Sequence, residues 1–218
     1  LSFKVEESPN ENLYFQLLNL DLSPDGSVTA LTDPSTSKQG FDMLYGVDNY
    51  IYYAYSEDYD ISVKKISNTG SVLWTTSAIE SDADDIVKAI YPNPGSGCVI
   101  IYESQSFIDG SHIYAVEVSG SGAAQSSVPI SDLSGDQYYE SSSITNNGIF
   151  VSFKDKTSGN YDVYGQHVLF TGNLDLGQSG ASIASGTGDQ QSSSVAYDLD
   201  EDEALVCYES PDGEETDI

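Results

Sequence analysis

The densest chemistry in the chain is a run of six residues, Asp198-Leu199-Asp200-Glu201-Asp202-Glu203. Asp198, Asp200 and Asp202 place a hard oxygen donor at every second residue, as the opening of a calcium loop does. The glycine and the distal glutamate of such a loop are missing at the required offsets. A solvated acidic hairpin turn is therefore the competing reading, and calcium at these three residues is the one metal expectation. Ser81-Asp82-Ala83-Asp84-Asp85 is a thinner version of the same pattern. Glu57, Glu103, Asp155 and Glu209 each follow an apolar run that ends in an aromatic residue. Carboxylates can serve as general acids and bases, as in glycoside hydrolysis. An acid repeated in every unit is better explained as a turn cap or an acceptor of backbone N–H groups, because a catalytic pair is asymmetric. No catalytic residue is assigned on this basis. His112 and His167 lie in different strand-like runs without a cysteine or serine partner at catalytic spacing, and read as ordinary strand residues. Cys98 and Cys207 also sit in apolar runs and read as two buried thiols rather than a disulfide. Tyrosines such as Tyr50, Tyr52, Tyr53, Tyr55, Tyr59, Tyr138 and Tyr139 can stack on sugar rings or fill the space between packed sheets.

Composition removes several classes of activity. The 218 residues hold 7 Lys+Arg against 35 Asp+Glu, a formal net charge of −28, and every one of the cations is a lysine. Such a surface repels polyanions, so nucleic acid is excluded as a partner. Without arginine, bidentate clamps on carboxylate, sulfate or phosphate are excluded too, and with them sialidase-type sites. Two histidines and two cysteines cannot assemble a zinc cluster or a haem motif, and no other cofactor is expected. No 18-residue apolar run exists to span a membrane. The abundance of Ser, Thr, Gly, Asn and Tyr is associated with extracellular or cell-surface proteins. The chain opens on Leu1 with no initiator Met, which reads as a mature or excised piece.

The elements that carry these residues recur. Gly135-Asp136-Gln137 matches Gly188-Asp189-Gln190, and an apolar strand follows each. The aromatic anchors Tyr55, Tyr102, Phe153 and Tyr208 stand 47, 51 and 55 residues apart. A second strand leads to a turn glycine after a constant ten residues: Asp60 to Gly70, His112 to Gly122, Asp162 to Gly172, and Gln16 to Gly26. Strand pairing imposes such constancy, since a slip of one residue turns the apolar face outward. Glu11-Asn12-Leu13-Tyr14-Phe15-Gln16 is identical to a protease site common in engineered proteins, but it fits this interval and is read as native, in a variable loop and the start of a strand. Asn146-Asn147-Gly148 and Pro92-Asn93-Pro94-Gly95 carry hairpin-turn chemistry.

Four antiparallel strands per unit of about 50 residues predict a β-propeller blade. The motif Phe153-Lys154-Asp155, Asn160-Tyr161-Asp162-Val163-Tyr164-Gly165-Gln166 and Gly172 resembles the propeller repeats of secreted and cell-surface microbial proteins. Ile66-Ser67-Asn68-Thr69-Gly70-Ser71-Val72-Leu73-Trp74 is similar to the Thr-Gly…Trp turn of other propeller families. The expected fold is all-β and propeller-like, one domain over residues 1–218 with about four four-stranded blades. The approximate units are 1–36, 37–80, 81–132, 133–185 and 186–218, the first and last being partial. With Ile218 equivalent to Ile61, one hairpin strand occurs five times and its partner four times. That suggests a fragment of a larger propeller, or edge strands completed by other protein chains. The expected function is a non-enzymatic structural or adhesive module. A carbohydrate-binding propeller, with or without calcium and with glycans as partners, is second, and a glycoside hydrolase on this scaffold is third.

Overall fold

The computed structural model describes residues 2–7, 10–19, 21–32 and 38–210. The fold is all-β and propeller-like, built from antiparallel sheets whose strands follow one another in sequence. The first sheet is β1 (Ser2–Glu7), β2 (Asn10–Leu18) and β3 (Pro24–Ala30). The second is β4 (Lys38–Tyr45), β5 (Ile51–Glu57), β6 (Asp60–Ile66) and β7 (Val72–Ile79). The third is β8 (Asp84–Pro92), β9 (Gly97–Ser106), β10 (Gly110–Ser119) and β11 (Val128–Pro129). The fourth is β12 (Gln137–Ile144), β13 (Gly148–Asp155), β14 (Asp162–Leu169) and β15 (Ala181–Ala184). A two-stranded fifth sheet pairs β16 (Gln191–Asp198) with β17 (Glu203–Glu209). Three sheets thus have four strands, and the first and last have three and two among the described residues. Ile218 lies outside the described residues. Among the described residues no helix is long and apolar enough to cross a membrane.

Compactness divides the chain into two units, Leu1–Cys98 with Val118–Ala124, and Val99–Glu117 with Gln125–Ile218. In the first unit Phe15, Leu31, Tyr53, Tyr55 and Ile66 form one buried cluster, flanked by Leu17, Phe41, Met43 and Ile51. In the second unit Tyr102 stacks on Tyr114 at 5.4 Å and Phe153 on Tyr164 at 5.8 Å. The strands β5 and β9 are buried along nearly their whole length. They are near-continuous apolar runs because both faces are covered, whereas β6 and β10 alternate.

The turn after β2, β6, β10 and β14 is the same in each copy. Asn19, Ser67, Ser119 and Leu169 each donate an N–H to the carbonyl four residues on and accept one from the residue three on. That third position is Gly70, Gly122 and Gly172 at φ between +80° and +90°, but in the first copy it is Leu22, at φ +65°. The turn expected at Gly26 is therefore corrected: Gly26 lies four residues later, inside β3, and the ten-residue interval runs back from Leu22 to Asn12. Glu11–Gln16 is likewise no loop. It sits wholly within β2, paired to β1 and β3, with Phe15 buried in the core.

The first strand of each later sheet pairs on one side only, so part of its backbone has no ladder partner. Side chains from the preceding sheet supply the missing acceptors. Ser56 Oγ accepts Val87 N–H at 2.8 Å, and Asp42 Oδ2 accepts Ile90 N–H at 3.1 Å. Glu103 Oε2 accepts Tyr139 N–H at 3.1 Å, and Ser141 Oγ accepts Val195 N–H at 3.2 Å. Register places Lys154, which cannot accept, where Ser56 stands in β5. There Glu140, at a bulge between Tyr139 and Ser141, takes over, accepting Ser192 N–H at 2.8 Å and Ser193 N–H at 2.6 Å. Lys154 Nζ lies 3.8 Å from it.

A half-buried ion pair fastens another joint of the first unit. Lys65 Nζ bonds Asp48 Oδ2 at 2.7 Å and Gly120 O at 3.0 Å, and lies 4.2 Å from the Tyr50 ring centre. Tyr52 O–H donates to Asp48 Oδ2 at 2.6 Å, and Trp74 Nε1 donates to Gly120 O at 3.3 Å. Burial disfavours the Asp48 anion, but the hydrogen bonds from Lys65 and Tyr52 outweigh it and hold that carboxyl below its ordinary range. Burial likewise disfavours the Lys65 cation, and the Asp48 bond outweighs it, holding Lys65 above its usual value. Burial and then the bond to Asp48 push Tyr52 up to about 12.

Two outcomes follow from these local structures. Leu22→Gly raises stability by about 1 kcal/mol, because the left-handed conformation is free for glycine and strained for leucine. Chemical denaturation measures it, and no change or a loss contradicts the turn assignment. Lys65→Met costs about 1 kcal/mol at neutral pH, since it leaves the half-buried Asp48 without its cation. The raised Lys65 and Tyr52 values stabilise the fold fully below the unfolded values of roughly 10. That stability is lost as pH rises through the folded values, so denaturation midpoints in the wild type fall between about pH 10 and 12.

Candidate functional site

At one end of the second unit, the last residues of β9, the first of β10 and those leading into β12 enclose a groove of about 220 Å³. It is lined by Gln105, Ser106, Gly110, Ser111, Asp136 and Tyr138. Beneath it Glu103, 3% exposed, accepts a hydrogen bond from Gln105 Nε2 at 2.6 Å and so orients that amide. Asp136 Oδ1 accepts Ser111 N–H at 3.3 Å. Gly110 has φ +84°, and a Cβ there would run into Asp136 Oδ1, so this acid packs directly on bare backbone. Tyr138 is propped edge-on against Tyr161 at 5.9 Å. Burial first, and then the charge of Asp136, raise its hydroxyl above the ordinary tyrosine value. Phe107 and Ile108 stand at the tip of the β9–β10 loop, 106% and 89% exposed. Ser106 Oγ accepts Ile108 N–H at 3.2 Å and Asp109 N–H at 3.3 Å, which stiffens the loop that presents them.

Asp189 leads into β16 as Asp136 leads into β12, and its Oδ1 accepts Tyr161 N–H at 3.0 Å. Adjacent sheets of the second unit therefore each offer a carboxylate at the corresponding end, anchored by a backbone N–H. In the groove itself a carboxylate, an amide and hydroxyls stand beside the half-buried Tyr138 ring, with Phe107 exposed on the adjoining loop, and these match the needs of sugar recognition: acceptors and donors for hydroxyl groups and flat faces for C–H surfaces.

Apart from Glu103, the other candidate residues fall elsewhere. Glu57, Glu103, Asp155 and Glu209 are not one repeated position. Glu103 and Glu209 follow their aromatic anchor by one residue, Glu57 and Asp155 by two. One residue along a strand reverses the face. Glu103 reaches the next sheet, Asp155 caps its own turn by accepting Thr157 N–H at 2.7 Å, and Glu209 is exposed opposite Gln191. Asp198, Asp200 and Asp202 lie at the β16–β17 turn. Asp198 Oδ1 accepts Asp200 and Glu201 N–H at 2.9 and 3.2 Å. Asp202, at φ +60°, accepts Tyr197 O–H at 2.6 Å and Asn146 Nδ2–H at 3.0 Å. Among the described residues no three of His, Cys, Asp and Glu are grouped to hold a metal ion. Ser81 Oγ donates to Asp85 at 2.7 Å, closing the second acidic run on itself. His112 contacts Asp109 O at 2.9 Å, and His167 bridges Thr145 at 2.9 Å and Asp175 at 3.2 Å. Neither cysteine is in a disulfide, and only Cys98 is buried. Cys207 is exposed, which corrects the expectation of two buried thiols.

Sequence reading passed over Gln105, Phe107 and Ser111, and took Asp136 as structural because its pattern repeats. The signal that could have found the groove is Phe107-Ile108, an apolar pair inside a Ser-Asp-Gly turn where no core can claim it.

No protein-family model and no curated protein sequence matches the chain. Among solved structures, the fold is similar to that of an endo-arabinase from Bacteroides thetaiotaomicron VPI-5482. The TM-score is 0.50 at 12% identity, covering 97% of this chain and 84% of that one. A thermostable family-43 glycoside hydrolase superposes with a TM-score of 0.45 at 15% identity, over 95% and 82% of the two chains. The expectation of a non-enzymatic structural or adhesive module is thereby corrected. It rested on the want of a local catalytic motif, yet the fold extends over nearly the whole chain in a protein named as an enzyme. The groups of the groove come from strands far apart in the chain, so no short spacing announces them.

Gly110→Ala is expected to cost about 1–3 kcal/mol and to cost less in an Asp136→Ala background. A double-mutant cycle read by thermal unfolding checks it; equal costs in both backgrounds would mean that Asp136 does not rest on Gly110.

Proposed function

We propose that the chain is an extracellular glycoside hydrolase acting on a neutral polysaccharide in the groove at Asp136. The observation that carries this reading is the placement of Asp136 and Asp189 at corresponding ends of adjacent sheets, with Asp136 opening beside Tyr138. Hydrolysis of a glycosidic bond needs one carboxyl to protonate the leaving oxygen. It needs a second to take the proton of the attacking water or to form the glycosyl ester. Gln105 and Ser111 are suited to hold substrate hydroxyls, and Tyr138 and Phe107 to stack on sugar rings. The groove has no lysine lining and the chain no arginine, so a neutral glycan suits it better than an acidic one. The fold's likeness to an endo-arabinase puts arabinan at the head of the substrates to be tried.

The test is release of reducing ends from a panel of neutral polysaccharides, followed by kinetics of Asp136→Asn and Asp189→Asn. Each variant is expected to lose on the order of 10²–10⁴-fold in kcat/KM with its unfolding midpoint retained. No release by the wild type from any neutral polysaccharide, or undiminished release by both variants, would overturn the proposal.

A further inference from the structure

Within the second unit, the start of β9 and the ends of β10 and β14 border a cleft of about 330 Å³ between the third and fourth sheets. The Asp136 groove lies at the other ends of these strands. The volume is that of a small-molecule site, room for roughly ten non-hydrogen atoms. Its floor is apolar: Val99, Ala115 and Val168, all buried. Phe170, half-buried, forms one wall, and Glu117 is the one charged residue of the lining. Ala115 and Glu117 are two residues apart in β10, so both project from the same face. Hydrogen bonds of the chain itself fix the walls. Gln125 N–H donates to Glu117 O at 2.9 Å, and Tyr102 O–H donates to Ser127 Oγ at 2.9 Å, which ties down the segment between β10 and β11. Phe170 N–H donates to Asn147 O at 3.0 Å.

The Glu117 carboxylate has no hydrogen bond or ion pair among the described residues. The two lysines of the second unit are held near the other end of the fourth sheet. Lys154 stands opposite Val163 and 3.8 Å from Glu140, and Lys156 lies 5.1 Å over the Tyr161 ring. Val163 precedes Val168 by five residues, roughly 16 Å along the strand. A neutral occupant would cover the carboxylate and leave it without a partner. An anion would meet both Glu117 and a net charge of −28. A bare metal ion would find a single carboxylate over valine and alanine, too few oxygens to hold it.

We propose that this cleft binds a small organic cation with an apolar body, its ammonium group on Glu117 beside Phe170 and its hydrocarbon on Val99, Ala115 and Val168. Burial of the hydrocarbon supplies affinity, while the carboxylate and the ring select the sign of charge. The site is separate from the Asp136 groove and independent of the hydrolase reading.

The experiment is calorimetric titration of the full chain with benzylammonium, benzyl alcohol, benzoate and methylammonium. The wild type is expected to bind one benzylammonium in a saturable step, on the order of tenfold more tightly than the alcohol or the benzoate. Methylammonium, which has the charge without the body, is expected not to saturate. Glu117→Gln should bind benzylammonium about tenfold more weakly and benzyl alcohol as the wild type does, while Glu201→Gln, at the exposed β16–β17 turn, keeps the preference for the cation. The comparison of probes on the wild type decides the matter if Glu117→Gln does not fold. No saturable binding of benzylammonium, or equal binding of the alcohol, overturns the proposal. Equal weakening by the two substitutions also overturns it and marks diffuse attraction to the acidic surface. Tighter binding of Nα-acetyl-lysine amide than of benzylammonium overturns it in favour of a lysine side chain from a partner protein.

Discussion

The structure depends on one constraint, the half-paired first strand of each later sheet. A strand with a neighbour on one side only leaves N–H groups that water cannot reach once another sheet packs over them. Each must find an acceptor, and the ladder offers none. In this chain the acceptor comes from a side chain of the sheet before: Ser56, Asp42, Glu103, Glu140 and Ser141. The identity of the acceptor varies while the donor atom persists. Where the register puts Lys154 at the acceptor place, the burden passes to Glu140 on a bulge of the neighbouring strand. The geometry is conserved from sheet to sheet by the need, not by the residue.

This constraint also explains why an acidic chain can keep so many carboxylates close to its sheets. Backbone N–H groups are weak positive dipoles, and a carboxylate that accepts one or two of them is stabilised without a cation. With seven lysines for 35 acids, most acids have no ionic partner to meet. Asp136 and Asp189 use one oxygen each in this way. The anchoring fixes their direction, which is what a reacting or sugar-binding carboxylate requires.

Much of the fold was legible in the residues. Recurrent aromatic anchors and turn glycines announced antiparallel units of about 50 residues, because strand length is set by pairing while loops drift. Gly70, Gly122 and Gly172 could be read as turn residues since only glycine enters the left-handed region without strain. Leu22 was invisible for the same reason: a leucine there breaks the rule, and a glycine four places later invited the wrong alignment. The four acids after the strands were misaligned by one residue in two of the copies. Pairing fixes a face at single-residue resolution, but a repeat read by eye does not. The groove at Asp136 was hidden by distance along the chain. Its lining comes from β9, β10 and the approach to β12, and only the folded sheets bring these together. Function by motif fails for such a site, whereas function by exposed Phe107 would have been a fair start.

The joints between sheets have an evolutionary reading. In each, the donor belongs to one repeat and the acceptor to the repeat before it. A gene segment cut at the sheet boundary would carry an acceptor with nothing to hold and a donor with nothing to hold it. An array lengthened by whole sheets keeps every joint, because each added sheet brings a donor for the sheet before it and an acceptor for the sheet after.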